Sequence, residues 1–227
     1  VNEIWWFETI GGHHWMARRV PDDCYVVMPN QLGIDSFDFD DAYGKQENYM
    51  CCSDLKEFVE KNHLDLNPDG PFDPRLAFGS HSDSDHIYNT PRAWIMLRCL
   101  NPSFQSNPED DNLPWCMVPE RKITVEDVKY ILSNHYQGTP YDPYGKNATL
   151  PNCYRTIGIN RNNFLSCVQL RPYVPEQIQA IEWISFASNA FNAFIPFYAN
   201  VNEVPEFYRT CEEKVSTDSL YWTSRLI

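Results

Sequence analysis

A chain of 227 residues that is 43% hydrophobic and 15% aromatic can bury a sizeable core, which excludes a disordered chain and allows one ordinary domain or two small ones. A formal net charge of −13 argues against nucleic acid or an anionic membrane surface as a partner, because both need a basic face. No run of about 18 apolar residues occurs, and the first residues have neither a basic leader region nor a cleavage site, so neither a transmembrane helix nor a signal peptide is expected.

The first thirty residues read as a three-stranded antiparallel meander. Residues 3–10 (EIWWFETI) are strand-like, with bulky aromatics. Gly11-Gly12 turns the chain into residues 13–20 (HHWMARRV), and Pro21-Asp22-Asp23 turns it again into residues 24–28 (CYVVM). This third strand reads as buried and stops at Pro29-Asn30. Asp35, Asp38, Asp40 and Asp41 follow and read as a solvated acidic surface.

Helices occupy the middle. Ser53 is positioned to cap residues 54–64, where Leu55, Phe58, Val59 and Leu64 lie roughly on one face. Thr90 as N-cap, Pro91 at the first helical position and Asn101-Pro102 as a stop define a second helix. Thr124 and Asp127 stand in a capping-box relation at the start of a third, residues 124–136, with Val125, Val128, Ile131 and Leu132 as its apolar face.

Strands return at residues 154–160, 164–172 and 180–188, the first two joined by a hairpin at Arg161-Asn162-Asn163. The stretch FNAFIPFYANV reads as core or pocket wall. Residues 216–227 begin like a helix capped at Ser216, and their apolar face is still running at Ile227. Strands, then helices, then strands predict an α+β fold with helices packed on antiparallel sheets. The Pro-rich stretches 67–74 and 139–151 read as surface loops.

The candidate chemistry is sparse. Cys24, Cys51, Cys52, Cys99, Cys116, Cys153, Cys167 and Cys211 form no C-x-x-C pair, and this usage suits a reducing cytoplasm. His13 and His14 are adjacent in a predicted strand, where neighbouring side chains face opposite sides, so the two are not expected to share a metal; a structural or rim role is favoured. SHSDSDHIY (80–88) gathers His81, Asp83, Asp85 and His86, but without the fixed oxygen spacing of a cation loop it reads as a solvated loop. No phosphate-binding glycine loop and no G-x-S-x-G is present, and no cofactor is expected.

Two polar residues stand out. Asn30, at a strand end, is either a turn residue bonding its own backbone or a side-chain amide able to donate to a developing oxyanion. Arg92 sits in the first turn of a helix, where a cation opposes the helix dipole. That placement calls for a partner: a structural ion pair, or a catalytic thiolate.

The blocks ETIGGHHWMARRVPDDCYVVMPNQLGID, DSDHIYNTPRAWIM, RKITVEDVKYILSNHYQGTPYDPYG, GINRNNFLSCVQLRP and STDSLYWTSRLI resemble, in collinear order, the bacterial N-terminal-nucleophile (Ntn) cysteine dipeptidases. These are distant relatives of penicillin V acylase and bile salt hydrolase. The resemblance implies an αββα sandwich, two antiparallel sheets between helical layers, that hydrolyses dipeptides of broad side-chain type without a metal. It implies a nucleophilic Cys at a processed N-terminus whose own α-amine is the general base. It makes Asn30 the oxyanion donor, in VVMPNQLG, although Pro29 stands where the acylases have Thr. It makes Arg92, in NTPRAW, the cation beside the nucleophile.

Val1 offers no nucleophile and no internal cysteine has a free α-amine, so the expectation is a single partial Ntn domain over 1–227. The Cys-bearing segment is expected upstream and a helical region downstream. A dipeptide substrate, a cytoplasmic location and a homo-oligomer belong to the same expectation. Two alternatives stay open: an amidohydrolase acting on other acyl-amides, and a non-catalytic binding module on the same sandwich.

Overall fold

The computed structural model describes residues 3–80, 82–159 and 161–227. The chain divides into two compact units, Val1–Lys122 and Ile123–Ile227. Both combine helices with antiparallel sheets, as the α+β class requires.

In the first unit β1 (Trp5–Gly11) pairs antiparallel with β2 (His14–Arg19). Gly11 and Gly12 both have positive φ, +148° and +58°, which glycine adopts without a Cβ penalty. A register shift at Gly11 carries the turn through His13, so β2 starts only at His14. The two histidines are therefore not successive strand residues, and the rule of opposite faces does not apply to them.

The expected third strand leaves this sheet. β3 (Tyr25–Val26) keeps only two residues, and it pairs with β5 (Cys116–Met117). The place beside β2 goes to β4 (Tyr49–Cys51), with Met16 opposite Cys51. Asp41 secures that outcome, because its carboxylate accepts the N–H groups of Glu47, Asn48 and Tyr49 at 3.1, 2.7 and 2.9 Å and so fixes the chain entering β4. Asp38 caps α1 (Phe39–Tyr43), and Asp35 pairs with Arg18 at 2.8 Å. The acidic run is thus largely framework, not merely a solvated face.

α2 (Leu55–Lys61) has Asp54 at its N-cap position, not Ser53, and the Asp54 side chain makes no capping bond. Leu55 and Val59 join Met16, Ile34, Phe37, Phe72 and Trp115 in the core of this unit. α3 (Pro74–Phe78) is capped by Asp73, and α4 (Asp83–Tyr88) by Ser82. α4 runs straight into α5 (Thr90–Leu100), so Asn89 ends one helix and opens the next; Thr90, the expected cap, lies inside. α5 buries Ala93, Trp94, Ile95, Met96, Leu97 and Leu100, so most of its apolar surface is covered.

In the second unit α6 (Val125–Leu132) carries the expected capping box: Thr124 Oγ1 accepts from Asp127 N at 3.2 Å, and the Asp127 carboxylate accepts from Thr124 N at 2.9 Å. β6 (Phe164–Leu170), β7 (Ala180–Phe186) and β8 (Ile195–Tyr198) form an antiparallel meander in that order. β8 arises from the stretch read only as core or pocket wall.

The expected strand at 154–160 does not form, and Asn160 lies outside the described residues. The N–H groups of Ile157 and Gly158 both go to Asn134 O, at 3.1 and 2.8 Å, and are not available to a ladder. Without that strand the hairpin at 161–163 is replaced by the β6–β7 pair. α7 (Glu206–Arg209) and α8 (Leu220–Leu226) close the chain; Ser219 caps α8, while Ser216 bonds Asp218 N instead. Among the described residues no helix is long and apolar enough to cross a membrane.

Candidate active site

Asn30 sits at the middle of a tight turn. Gln31 N donates to Pro29 O at 2.7 Å, closing a three-residue loop that projects the side chain outward. Neither sequence reading describes it fully. Asn30 lies in a bend beyond a short, half-buried strand, and its side chain bonds Arg92, not its own backbone. Arg92 donates to Asn30 Oδ1 at 2.9 Å. Since a guanidinium only donates, the amide oxygen must face it and the NH2 group must face away.

The helix break at Asn89 explains why Arg92 is tolerated in a first turn. Its Nε donates to Tyr88 O, the last carbonyl of α4, where a cation is favourable. A second nitrogen bonds Asn89 Oδ1 at 2.6 Å as well as Asn30. Asn89 in turn donates to the carboxylate of Asp85, which is buried. A chain of polar groups thus runs from Asp85 through Asn89 and Arg92 to Asn30, and it sets the position of the terminal amide.

Beside this chain lies a small cleft of about 30 Å³, lined by Pro29, Gln31, Thr90, Ala93, Asp111 and Trp115 among others. Thr90 Oγ1 and Trp115 Nε1 are buried there without hydrogen-bond partners among the described residues. Two orphaned groups in one cleft are what a bound polar group or water would satisfy.

Glu8 was not anticipated. It points inward from β1 while its neighbour Phe7 faces solvent. One carboxylate oxygen accepts from Trp6 Nε1, Gly33 N and Ile34 N at 3.1, 2.8 and 3.4 Å; the other has no partner among the described residues. Burial pushes its carboxyl above the usual range. Glu8 therefore ties β1 to the loop just after Asn30. The one signal available was an acid directly after three aromatics, Trp5, Trp6 and Phe7, in a strand otherwise short of charge.

The remaining candidates separate. His81 lies outside the described residues. Asp83, Asp85 and His86 fall in α4, not in a loop, and His86 pairs with Asp111 at 3.0 Å. Cys24 and Cys167 are half-buried, and burial raises both thiols, Cys24 to about 12, which leaves neither poised as a nucleophile.

The chain belongs to peptidase family C69, whose model matches residues 1–227. A dipeptidase of Bifidobacterium longum (strain NCC 2705) is 54% identical over 238 residues, which cover 100% of this chain and 45% of that protein. A probable dipeptidase A of Streptococcus pyogenes serotype M18 (strain MGAS8232) is 52% identical, covering 100% of this chain and 48% of its own length. A probable dipeptidase B of Lactococcus lactis subsp. lactis (strain IL1403) is 44% identical over 98% of this chain and 47% of its own. The chain spans about half the length of the curated relatives it matches.

Proposed function

We propose that this chain is part of a cysteine-type Ntn dipeptidase that hydrolyses dipeptides of broad type, with Asn30 as oxyanion donor and Arg92 as its electrostatic support. The nucleophilic Cys and its α-amine would come from a segment outside this chain. The thiolate would attack the scissile carbonyl, and negative charge would develop on the carbonyl oxygen. Asn30 Nδ2 would donate to that oxygen, and the nearby guanidinium would favour the same charge.

The observation that carries this reading is the Arg92–Asn30 bond, which turns the amide NH2 outward beside a cleft with unsatisfied polar groups. The family and the names of the relatives support peptide hydrolysis. The αββα sandwich goes with the reading: each unit supplies a three-stranded antiparallel sheet. One side of β6 also leaves Phe164, Val168 and Leu170 exposed, as a sheet awaiting a further layer would. A cytoplasmic location and a homo-oligomer complete it.

The test is Asn30→Ala in the full-length enzyme. Loss of one oxyanion donor lowers kcat by about 10²–10³-fold with little change in KM. A change confined to KM would reject the oxyanion role. Turnover of acyl-amides in preference to dipeptides would move the reading to the amidohydrolase alternative.

A further inference from the structure

Away from the Asn30–Arg92 site, the described residues bring three metal-ligating side chains together: His13, His14 and Asp54. One ligand atom from each lies within 4.8 Å of the other two. His13 Nε2 stands 2.7 Å from Asp54 Oδ2, and His14 Nε2 stands 3.6 Å from the same oxygen. We propose that this cluster binds one divalent transition ion of the zinc type, using both imidazoles and the Asp54 carboxylate, with water completing the shell.

Three observations carry this. The bulged turn at Gly11 takes His13 out of the strand, so both imidazoles can approach one point. His14 is set in place, with only 14% of its side chain exposed and its ring stacked on Phe58 at 4.1 Å. Asp54 occupies a helix N-cap position yet makes no capping bond, although such a bond is typically worth about 1 kcal/mol. Its Oδ2 is turned to the two histidines instead. An ordinary surface ion pair would need His13 and Asp54 alone. The third, oriented ligand is what a metal site adds.

The dimensions fit. Ligand atoms about 2.0–2.2 Å from a tetrahedral zinc lie roughly 3.4 Å apart. The 3.6 Å spacing of His14 and Asp54 is already near that value, and the 2.7 Å contact of His13 has only to open slightly. His13 is 71% exposed on its side chain and has room to move. Two imidazoles and one carboxylate suit zinc, nickel or copper and disfavour magnesium or calcium. The ion would fasten the β1–β2 turn to the start of α2. This site is independent of the peptidase reading.

The experiment is calorimetric titration of the full-length protein, prepared metal-free, with zinc ion alone, beside the His13→Ala and Asp54→Asn variants. Zinc taken up by thiols elsewhere is common to all three and cancels in the difference. Wild type should bind one equivalent more than either variant, or bind that equivalent at least ~100-fold more tightly, since losing a direct ligand costs no less than the roughly 10–100-fold typical of losing an outer-shell partner. Thermal melting should then show a zinc-dependent rise in wild type that His13→Ala lacks, and magnesium should produce none. His13→Ala lies on an exposed turn and Asp54→Asn keeps the side-chain shape. Equal stoichiometry and affinity in wild type and both variants overturns the proposal.

Discussion

Arg92, in the first turn of α5, donates to the side-chain oxygen of Asn30 across 62 positions of sequence, at 2.9 Å. This one bond turns an exposed turn amide into an oriented donor. It also gives Arg92 two functions at once, because the same guanidinium closes the C-terminal end of α4 through Tyr88 O.

A double-mutant cycle on this pair separates two roles for the cation. If Arg92 works by orienting Asn30, Arg92→Ala lowers kcat and the double variant Asn30→Ala/Arg92→Ala is no worse than Asn30→Ala alone. If Arg92 chiefly holds the nucleophilic thiol ionised, the two losses multiply and the pH profile of Arg92→Ala moves to higher pH. Arg92→Lys should not rescue, since an ammonium cannot reproduce the planar fork that reaches Tyr88, Asn89 and Asn30 together.

Thr90→Val tests the cleft. Thr90 is 2% exposed and its hydroxyl has no partner among the described residues, and valine has nearly its shape. Removing a buried, unsatisfied hydroxyl should stabilise the fold by about 1 kcal/mol in urea denaturation. If substrate satisfies that hydroxyl, KM for dipeptides rises several-fold in the same variant. A loss of stability would mean that the hydroxyl already has a partner in the folded protein.

The parts of this fold legible in the sequence are those fixed by local chemistry. The Thr124–Asp127 capping box and the turn at Gly11-Gly12 each need only a few adjacent residues; the box forms as read and the turn forms one residue later, through His13. Strand partners are a different matter. The segment at 24–28 has strand-like residues, but what joins β2 is decided by Asp41, which binds three amides several positions downstream. The strand expected at 154–160 fails for a similar reason, its amides being taken by Asn134.

At the candidate site, Asn30 and Arg92 each stand out from their own place in a strand end or helix turn, and the resemblance supplies their roles. Their contact joins residues far apart in sequence, which no local pattern encodes. Glu8 was missed because alternation along β1 would place Phe7 inside and the acid outside, and the structure reverses them. His13 and His14 were separated by a rule for regular strands that a bulged turn suspends.

Gly158→Ala tests the loop that replaces the expected strand. A Cβ at Gly158 would stand 2.3 Å from Ser133 O and 2.7 Å from Ser133 C, both backbone atoms with little freedom to move. Gly158 N is also bonded to Asn134 O at 2.8 Å, so the loop cannot simply retreat. Overpacking of this kind should destabilise by about 1–3 kcal/mol, read as a lower urea midpoint at unchanged m-value. A variant as stable as wild type would show that this close approach is not made in solution.

Glu8 gives the stability of the protein a pH dependence of definite sign. Burial raises its carboxyl above the usual carboxylate range, against the pull of the Gly33, Trp6 and Ile34 donors and of Arg75. The folded state therefore keeps its proton to a higher pH than the unfolded chain does. Stability from this group is greatest below the unfolded pKa, about 4.3 for glutamate. It falls as pH rises to the folded value and is level above it, with a slope of at most about 1.4 kcal/mol per pH unit. Asp41 acts in the opposite sense: its carboxyl is lowered, foremost by the Asn48 N–H, so its contribution is lost as pH falls.

Comparing wild type with Glu8→Gln cancels Asp41 and isolates Glu8. Glutamine keeps an oxygen for the Gly33 and Ile34 amides and cannot ionise, so the difference in unfolding free energy should move in favour of the variant as pH rises from 4 to 7. Glu8→Ala, which releases that loop, should also lower kcat through Asn30, while Glu8→Gln leaves kcat nearer wild type. A wild-type-minus-Gln difference that is flat across this range would remove Glu8 from the account.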